Sequence, residues 1–474
     1  MSAQTNGARK SQRKTHKAQQ RPPFECIALL LQGGGALGAY QAGVYEALSE
    51  AHLQPDWVAG ISIGAINSAL IAGNPAEKRV QRLREFWEAV TMPPLWDGMG
   101  DLSPKSETAA EPMQRLLDQA AAAAASLGAM SLSMVSNKPL PAQPNRPHDI
   151  WDKTWLHELW DKLGWDKLGG PRLPFHPSEL GSFLVKGDVA RGVANWMNAS
   201  LALMRGAPAF FAPRLPPPWL QPAGSVEATS YYDTAPLHAT LERLVDFDRI
   251  NSGEMRFSIG SVNVCTGNFV YFDNETHHIG AKHVIASGAL PPGFPPVEIE
   301  GEYYWDGGLV SNTPLTWVLE NEPRLDTLAF QVDLWSARGA FPRNIAEVST
   351  RQKEIQYSSR TRANSDRFKQ MQRLRCTLAS LLDKLPEDLK DSPEYKTLSP
   401  RVDRKVYNII QLIYRSKEYE GDSKDYEFSR LSMEDHWRAG YQDTVRTLRH
   451  PEVLERPNNL AGVFTFDLAQ DGRE

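Results

Sequence analysis

The start of this 474-residue chain repeats one pattern twice: an apolar stretch, a turn with glycine, and a helix-like stretch. The run Cys26–Leu31 has no charged residue and ends shortly before Gly33, which is typical of a strand buried on both faces of a parallel sheet. Residues 57–60 then lead through Ser62 into a helix-like segment of small and apolar residues at 65–72. Two such units in succession predict an α/β fold around a mainly parallel sheet.

The length exceeds that of a usual single domain, so we expect one main domain with additions. We predict a disordered basic tail at 1–23, a main domain at 24–335, a helical C-terminal appendage at 336–455 and a tail at 456–474. Within the main domain, residues 93–150 are rich in Pro, Ser, Met and Ala and predict an insertion or lid. The appendage is predicted because apolar residues recur there at helical spacing.

Composition excludes several classes of protein. A formal net charge of -5 gives no general electrostatic reason to bind nucleic acid. No run of about 18 apolar residues predicts a membrane-spanning helix, and the basic N-terminal residues lack the apolar core of a secretory signal. The three cysteines, Cys26, Cys265 and Cys376, lack the spacing of a metal site or a disulfide framework. We therefore expect a cytoplasmic protein whose membrane contact, if any, is peripheral.

The second turn has the sequence Gly60-Ile61-Ser62-Ile63-Gly64, which matches the G-x-S-x-G pattern of a nucleophile elbow. A predicted strand precedes it and a predicted helix follows, as an elbow requires. The start of that helix would place backbone N–H groups and a positive dipole end beside Ser62. The alternative is an ordinary tight turn with a solvated serine.

The first turn is glycine-rich and has the sequence Gly33-Gly34-Gly35-Ala36-Leu37-Gly38. Without side chains, its backbone N–H groups can converge on a negatively charged atom, such as the oxyanion of an acyl-transfer reaction. The same letters satisfy the G-x-G-x-x-G pattern of dinucleotide binding, for which Asp56 would be the ribose-binding acid. A second turn carrying a serine argues against the nucleotide, because a dinucleotide fold does not need one.

A third turn, Asp306-Gly307-Gly308, follows a strand-like segment and can present a carboxylate. The alternative is again an ordinary turn. A serine hydrolase of the Ser, Asp, His order needs a late histidine, and after Asp306 only His436 and His450 remain, both in the charged helical region. A dyad of serine and aspartate without histidine is the simpler arrangement.

Together these motifs resemble the patatin-like phospholipases, in matching order, over residues 26–73 and 284–335. A further block at 286–296 is similar to the segment that this family carries before its aspartate. The resemblance implies a three-layer α/β/α domain, with Ser62 as the nucleophile and Asp306 as the base. It implies an oxyanion hole at Gly33, Gly34, Gly35 and Ala36. It also implies supporting glycines at Gly38, Gly60, Gly64, Gly307 and Gly308, and no metal or organic cofactor.

The expected reaction is hydrolysis of lipid carboxyl esters, of the phospholipase A or lysophospholipase type. Many family members carry Arg or Lys where this chain has Leu37, so a neutral-ester or intracellular polyester hydrolase is an alternative, and an inactive lipid-binding or scaffold module is another. Residues 204–220, with Phe210 and Phe211, either line an acyl-chain pocket or contact lipid, or else only pack. The basic stretch 351–375 either attracts anionic lipid or forms a solvated helix surface.

Overall fold

The computed structural model describes residues 15–18, 20–92, 188–358, 361–459 and 461–468. The predicted insertion at 93–150 lies outside the described residues. The described helices are α1 (Ala39–Glu50), α2 (Ile63–Ala72), α3 (Ala76–Val90), α4 (Asp188–Arg205), α5 (Ala235–Leu244), α6 (Phe247–Asn251), α7 (Ala281–Ser287), α8 (Leu315–Glu320), α9 (Ile345–Tyr357), α10 (Thr361–Leu382), α11 (Pro393–Leu398) and α12 (Arg430–Leu448). The described strands are β1 (Cys26–Leu31), β2 (Trp57–Ile61), β3 (Ala212–Pro213), β4 (Tyr232–Asp233), β5 (Arg256–Asn263), β6 (Phe269–Asp273), β7 (Val297–Ile299), β8 (Glu302–Asp306), β9 (Thr327–Asp333), β10 (Tyr407–Ile413) and β11 (Val463–Phe466).

One sheet contains all the described strands except β3 and β4, which form a separate antiparallel ribbon. Its order is β11-β10-β9-β1-β2-β5-β8-β7, and β6 also pairs with β5. From β11 to β5 all neighbours run parallel, whereas β6, β7 and β8 pair antiparallel. The mainly parallel sheet predicted from the first two turns is therefore confirmed.

Both faces of this sheet are covered by helices. Alternate residues of β1 belong to two different cores, because side chains alternate between the faces of a strand. One core includes residues of α1, α2 and α12, and the other includes residues of α8 and α10. This arrangement confirms the three-layer α/β/α fold.

The C-terminal region is mainly helical, as predicted, but it differs from a separate appendage. Its strand β10 pairs parallel with β9 from Tyr407 opposite Thr327 to Ile413 opposite Asp333, so it extends the main sheet. Residues of the predicted tail at 456–474 add β11 to the edge of β10. The sequence of β10 does not alternate between polar and apolar residues, because its polar residues Asn408 and Gln411 lie three positions apart. This spacing could not be distinguished from that of a helix.

The N-terminal tail predicted at 1–23 is partly attached to the domain. The N–H of Ala18 donates to the carbonyl of Ala51 at 3.2 Å, and Arg21 forms an ion pair with Asp56. Among the helices that the structure describes, none combines the length and the apolar composition needed to cross a bilayer.

Candidate active site

Ser62 lies in the sharp turn between β2 and α2, with φ 55° and ψ -124°. A positive φ is costly for a residue with a side chain, so other contacts must hold it. The flanking glycines permit the turn, because a Cβ on Gly60 would lie 2.2 Å from the carbonyl oxygen of Gly64. The serine side chain is thus presented at the carboxyl end of the parallel strands, as in a nucleophile elbow.

Ser287, at the end of α7, anchors this elbow. Its carbonyl oxygen and its Oγ each accept from the N–H of Ser62 at 3.1 Å. The Ser287 hydroxyl donates in turn to the carbonyl of Gly260 on β5 at 2.6 Å. The strained turn is therefore tied to the neighbouring strand through a fully buried side chain.

Asp306 reaches the elbow from the end of the antiparallel strand β8. It lies opposite Ser261 of β5, and the preceding β5 residue, Gly260, pairs with Ile61, directly before the serine. The Ser62 side chain lies close enough to the Asp306 carboxyl to lower the pKa of that carboxyl. The spacing of the sheet thus brings together two residues that are far apart in the sequence.

The Asp306 carboxyl is 2% exposed, and this burial raises its pKa from 3.8 to about 7. The nearby Ser62 side chain and a hydrogen bond from the N–H of Gly308, at 2.7 Å, partly oppose the rise in pKa. A carboxylate with a pKa near neutral pH can accept a proton and return it during one reaction cycle.

The glycine-rich loop follows β1 and is held by its first carbonyl. The carbonyl of Gly33 accepts from Asn312 Nδ2 and from Trp335 Nε1, both at 3.0 Å. In a trans peptide the carbonyl and the following N–H point in opposite directions. These two donors therefore fix the direction of the Gly34 N–H, away from Asn312 and Trp335.

Two of the four N–H groups predicted to form an oxyanion hole are already engaged. The Gly33 N–H donates to the carbonyl of Asn312 at 3.3 Å, and the Ala36 N–H donates to the carbonyl of Asp425 at 2.8 Å. The N–H groups of the two glycines between them have no acceptor within the described residues. Of the four predicted donors, the N–H groups of Gly34 and Gly35 are thus the two available to a ligand.

A buried amide beneath the loop was missed by the sequence analysis. Gln32 is fully buried, and its Oε1 accepts from the N–H groups of Leu334 and Trp335 at 2.7 and 3.0 Å. Its Nε2 donates to Thr313 Oγ1 and to the carbonyl of Tyr357. The sequence signal was a polar residue between an apolar strand and the glycine run.

Ser62, Asp306 and the glycine loop line one cavity of about 290 Å³. Phe210 and Phe211, from the segment 204–220, line it as well. The other side chains around it are mostly apolar or aromatic: Ile63, Ile66, Leu203, Tyr232, Leu290, Phe294, Trp335, Tyr357, Tyr426 and Phe428. The site is therefore an apolar pocket with few polar groups, which is typical of sites for apolar ligands.

The positions of Asp56 and of the histidines argue against a dinucleotide site and against a catalytic histidine. The carboxylate of Asp56 accepts from the N–H of Ile27 at 2.7 Å, at the amino end of β1, whereas the glycine loop lies at the carboxyl end. The Nε2 atom of His436 lies 3.7 Å from Oε2 of the buried Glu420. No histidine of the described residues lines the cavity. Leu37 is fully buried in the core and does not line the cavity either.

Two protein-family models match parts of this chain. A family model described as "Patatin-like phospholipase" matches residues 29–318, and one described as "Patatin phospholipase" matches residues 355–460. "Patatin-like phospholipase domain-containing protein 6" of Mus musculus is 46% identical over 66 residues, which are 14% of this chain and 5% of that protein. "Lysophospholipase nte1" of Aspergillus terreus is 46% identical over 80 residues, 15% of this chain and 5% of its own.

The matched stretches are thus a small part of these curated relatives. Among solved structures, VipD from Legionella pneumophila aligns over 99% of this chain and 78% of its own, at 14% identity. The TM-score of this alignment is 0.32. The first family model, however, spans most of the chain, including the elbow, the glycine loop and Asp306. The chain belongs to the patatin-like phospholipase family.

Proposed function

We propose that this chain hydrolyses carboxyl esters of lipids, with Ser62 as the nucleophile and Asp306 as the base. The observation that carries the proposal is that Ser62, at a strained turn, and the buried carboxyl of Asp306 line the same apolar cavity. Family membership supports the same reaction class.

The proposed reaction begins when Ser62 Oγ attacks the ester carbonyl carbon while Asp306 accepts the hydroxyl proton. The N–H groups of Gly34 and Gly35 stabilise the oxyanion that forms. When the C–O bond of the ester breaks, the departing alcohol takes the proton from Asp306 and leaves an acyl-enzyme. Asp306 then accepts a proton from water, which attacks the acyl carbon, and returns a proton to Ser62 as the fatty acid leaves.

The charged side chains around the cavity indicate which part of a substrate can enter it. Within the described residues, its charged lining side chains are those of Asp306 and Asp425, and no Lys or Arg lines it. Burying a phosphate there without a cation would be costly. We infer that the acyl chain and the ester enter the cavity while a charged head group stays outside. The lack of a cation among these described lining residues also favours a second candidate, hydrolysis of neutral esters such as acylglycerols.

Product analysis tests the proposal. Wild-type, Ser62→Ala and Ser68→Ala proteins would be incubated with phosphatidylcholine, lysophosphatidylcholine, diacylglycerol and hydroxyacid oligomers, and released acids would be measured. Ser68 is a matched control because it is a serine of the helix that follows the elbow, is fully buried, and does not line the cavity. We expect release by the wild type and by Ser68→Ala but not by Ser62→Ala. Full activity of Ser62→Ala would remove the proposed nucleophile, and a folded wild type inactive on every ester would indicate a binding module.

A further inference from the structure

Large apolar side chains are exposed to solvent in one segment near the cavity. Six of them form what we call the apolar collar: Leu203, Met204, Leu215, Trp219, Leu220 and Tyr231, with exposed fractions of 47%, 58%, 85%, 73%, 68% and 52%. Exposed apolar side chains grouped in this way mark contact with another molecule more often than singly scattered ones do.

Hydrogen bonds join the collar to the wall of the cavity. The hydroxyl of Tyr232, which lines the cavity, donates to the carbonyl of Leu203 at 2.7 Å. The N–H of Arg214 donates to the carbonyl of Tyr231 at 3.0 Å, and the N–H of Tyr231 donates to the carbonyl of Pro292 at 3.1 Å. Since Pro292 and Leu203 also line the cavity, the collar is joined to the cavity wall at Leu203 and Tyr231.

Aromatic rings continue this apolar surface inward. Phe211 contacts the rings of Tyr232, Phe294 and Phe428, at centroid distances of 4.9, 5.3 and 6.0 Å. Phe210 packs against the same cluster and is 7% exposed. Leu203, these rings and Ser62 line one cavity, so an acyl chain could reach Ser62 from the collar along a mainly apolar wall.

The charges near the collar indicate which kind of partner this surface can bind. The charged residues from Leu203 to Asp233, a segment that contains the whole collar, are Arg205, Arg214, Glu227 and Asp233, two of each sign. The guanidinium of Arg214 is held by Ser230 Oγ at 3.1 Å and by the carbonyl of Tyr232 at 3.2 Å. The segment 203–233 thus carries no net charge, and an apolar interface without net charge fits it.

The geometry points to a docking surface for a lipid–water interface without net charge: the apolar collar inserts into it and the cavity opens onto it. This inference rests on the proposed function, because it names how the same site meets its substrate. Tryptophan suits such a boundary, since its ring is mainly apolar and its N–H remains near water.

Flotation with phosphatidylcholine vesicles tests the docking surface without any turnover. Ser62→Ala protein would be compared with the same protein carrying Trp219→Ser and Leu220→Ser. A matched control carries Phe341→Ser and Ile345→Ser, which remove side chains that are 90% and 82% exposed outside the collar. We expect the collar variant to lose binding by roughly 10- to 100-fold, the control variant to bind normally, and salt to have little effect.

A second measurement separates docking from chemistry. With Ser62 present, the collar variant should hydrolyse a soluble short-chain ester at the wild-type rate, while its hydrolysis of vesicle lipid falls together with binding. Unchanged vesicle binding in the collar variant would overturn the inference. So would a wild-type protein that binds no vesicles and forms a dimer that the collar substitutions dissociate. Vesicle binding that depends on the collar in a protein that hydrolyses no ester would instead remove the proposed function and leave the docking surface.

Discussion

The carbonyl oxygen of Asp425 accepts a hydrogen bond from the N–H of Ala36 at 2.8 Å, and so joins the C-terminal region to the glycine-rich loop. Asp425, Tyr426 and Phe428 also line the cavity that holds Ser62. The region matched by the second family model therefore helps to form the candidate site, in addition to extending the sheet.

Gly35 cannot carry a side chain beside this contact. Its φ is +55°, and a Cβ would lie 2.0 Å from the carbonyl oxygen of Asp425. We predict that Gly35→Ala displaces the loop and lowers kcat by about 100-fold or more, measured on a soluble ester. Gly253→Ala is the matched control, because Gly253 has φ +77° and a Cβ there would meet no atom within 4 Å. It should cost only about 1 kcal/mol of unfolding free energy and leave kcat unchanged; equal losses of kcat in both variants would contradict the loop's role.

Lys353 holds the segment that carries Asp425. Its Nζ donates to the carbonyl of Asp422 at 2.8 Å and to the two carboxylate oxygens of Asp425 at 2.8 and 3.1 Å. We predict that Lys353→Met loosens this segment and lowers kcat by roughly 10-fold, with no loss of helical content by circular dichroism. Lys369→Met, at a helix position whose ion pair with Asp366 is 4.0 Å long, is the control and should leave kcat unchanged. The role of the segment would be refuted if both variants kept wild-type turnover.

The pH dependence of the reaction should follow the ionisation of Asp306. Burial raises the pKa of this carboxyl to about 7, and only the ionised form can accept the serine proton. We predict that kcat/KM on a soluble, uncharged ester rises with pH and reaches a plateau above neutral pH, with a midpoint near 7. A profile that stays flat from about pH 5 to pH 9 would exclude Asp306 as the base.

The same raised pKa makes Asp306 unfavourable for stability at high pH. Its folded-state pKa lies above the unfolded value of 3.8, so its stabilising contribution is full below the unfolded pKa and is lost as pH rises through about 7. We predict that Asp306→Asn raises the free energy of unfolding, relative to wild type, by on the order of 2 kcal/mol at about pH 8. The difference should shrink towards about pH 5, as measured by urea denaturation at both pH values. A gain that does not change with pH would point to packing and not to charge.

Local patterns account for what the sequence could predict. The turns at Gly33 and Ser62 were recognisable because each consists of a few adjacent residues between a strand and a helix. The strand β10 was not recognisable, because its polar residues Asn408 and Gln411 are three positions apart, a spacing that also fits a helix. Asp425 and Asn312 were missed because they act through contacts with distant parts of the chain, which no local pattern records.

The role of the basic stretch 351–375 could likewise not be predicted from local sequence. Its composition allowed attraction to anionic lipid, but two of its cations have internal partners. Arg351 donates to the carbonyls of Ser336 and Ala337, and Lys353 donates to Asp425. Only tertiary contacts distinguish such cations from those of a solvated helix surface.

The most direct test is the rate and site of labelling by a fluorophosphonate probe at about pH 8, mapped by mass spectrometry. Wild type, Ser62→Ala, Asp306→Asn and the control Ser68→Ala would be compared after circular dichroism has shown that each is folded. The predicted result is a single adduct on Ser62 in wild type and Ser68→Ala, no adduct in Ser62→Ala, and labelling slowed by about 100-fold or more in Asp306→Asn. An adduct on another serine, or equal labelling rates in Asp306→Asn and wild type, would contradict the proposed Ser62–Asp306 dyad.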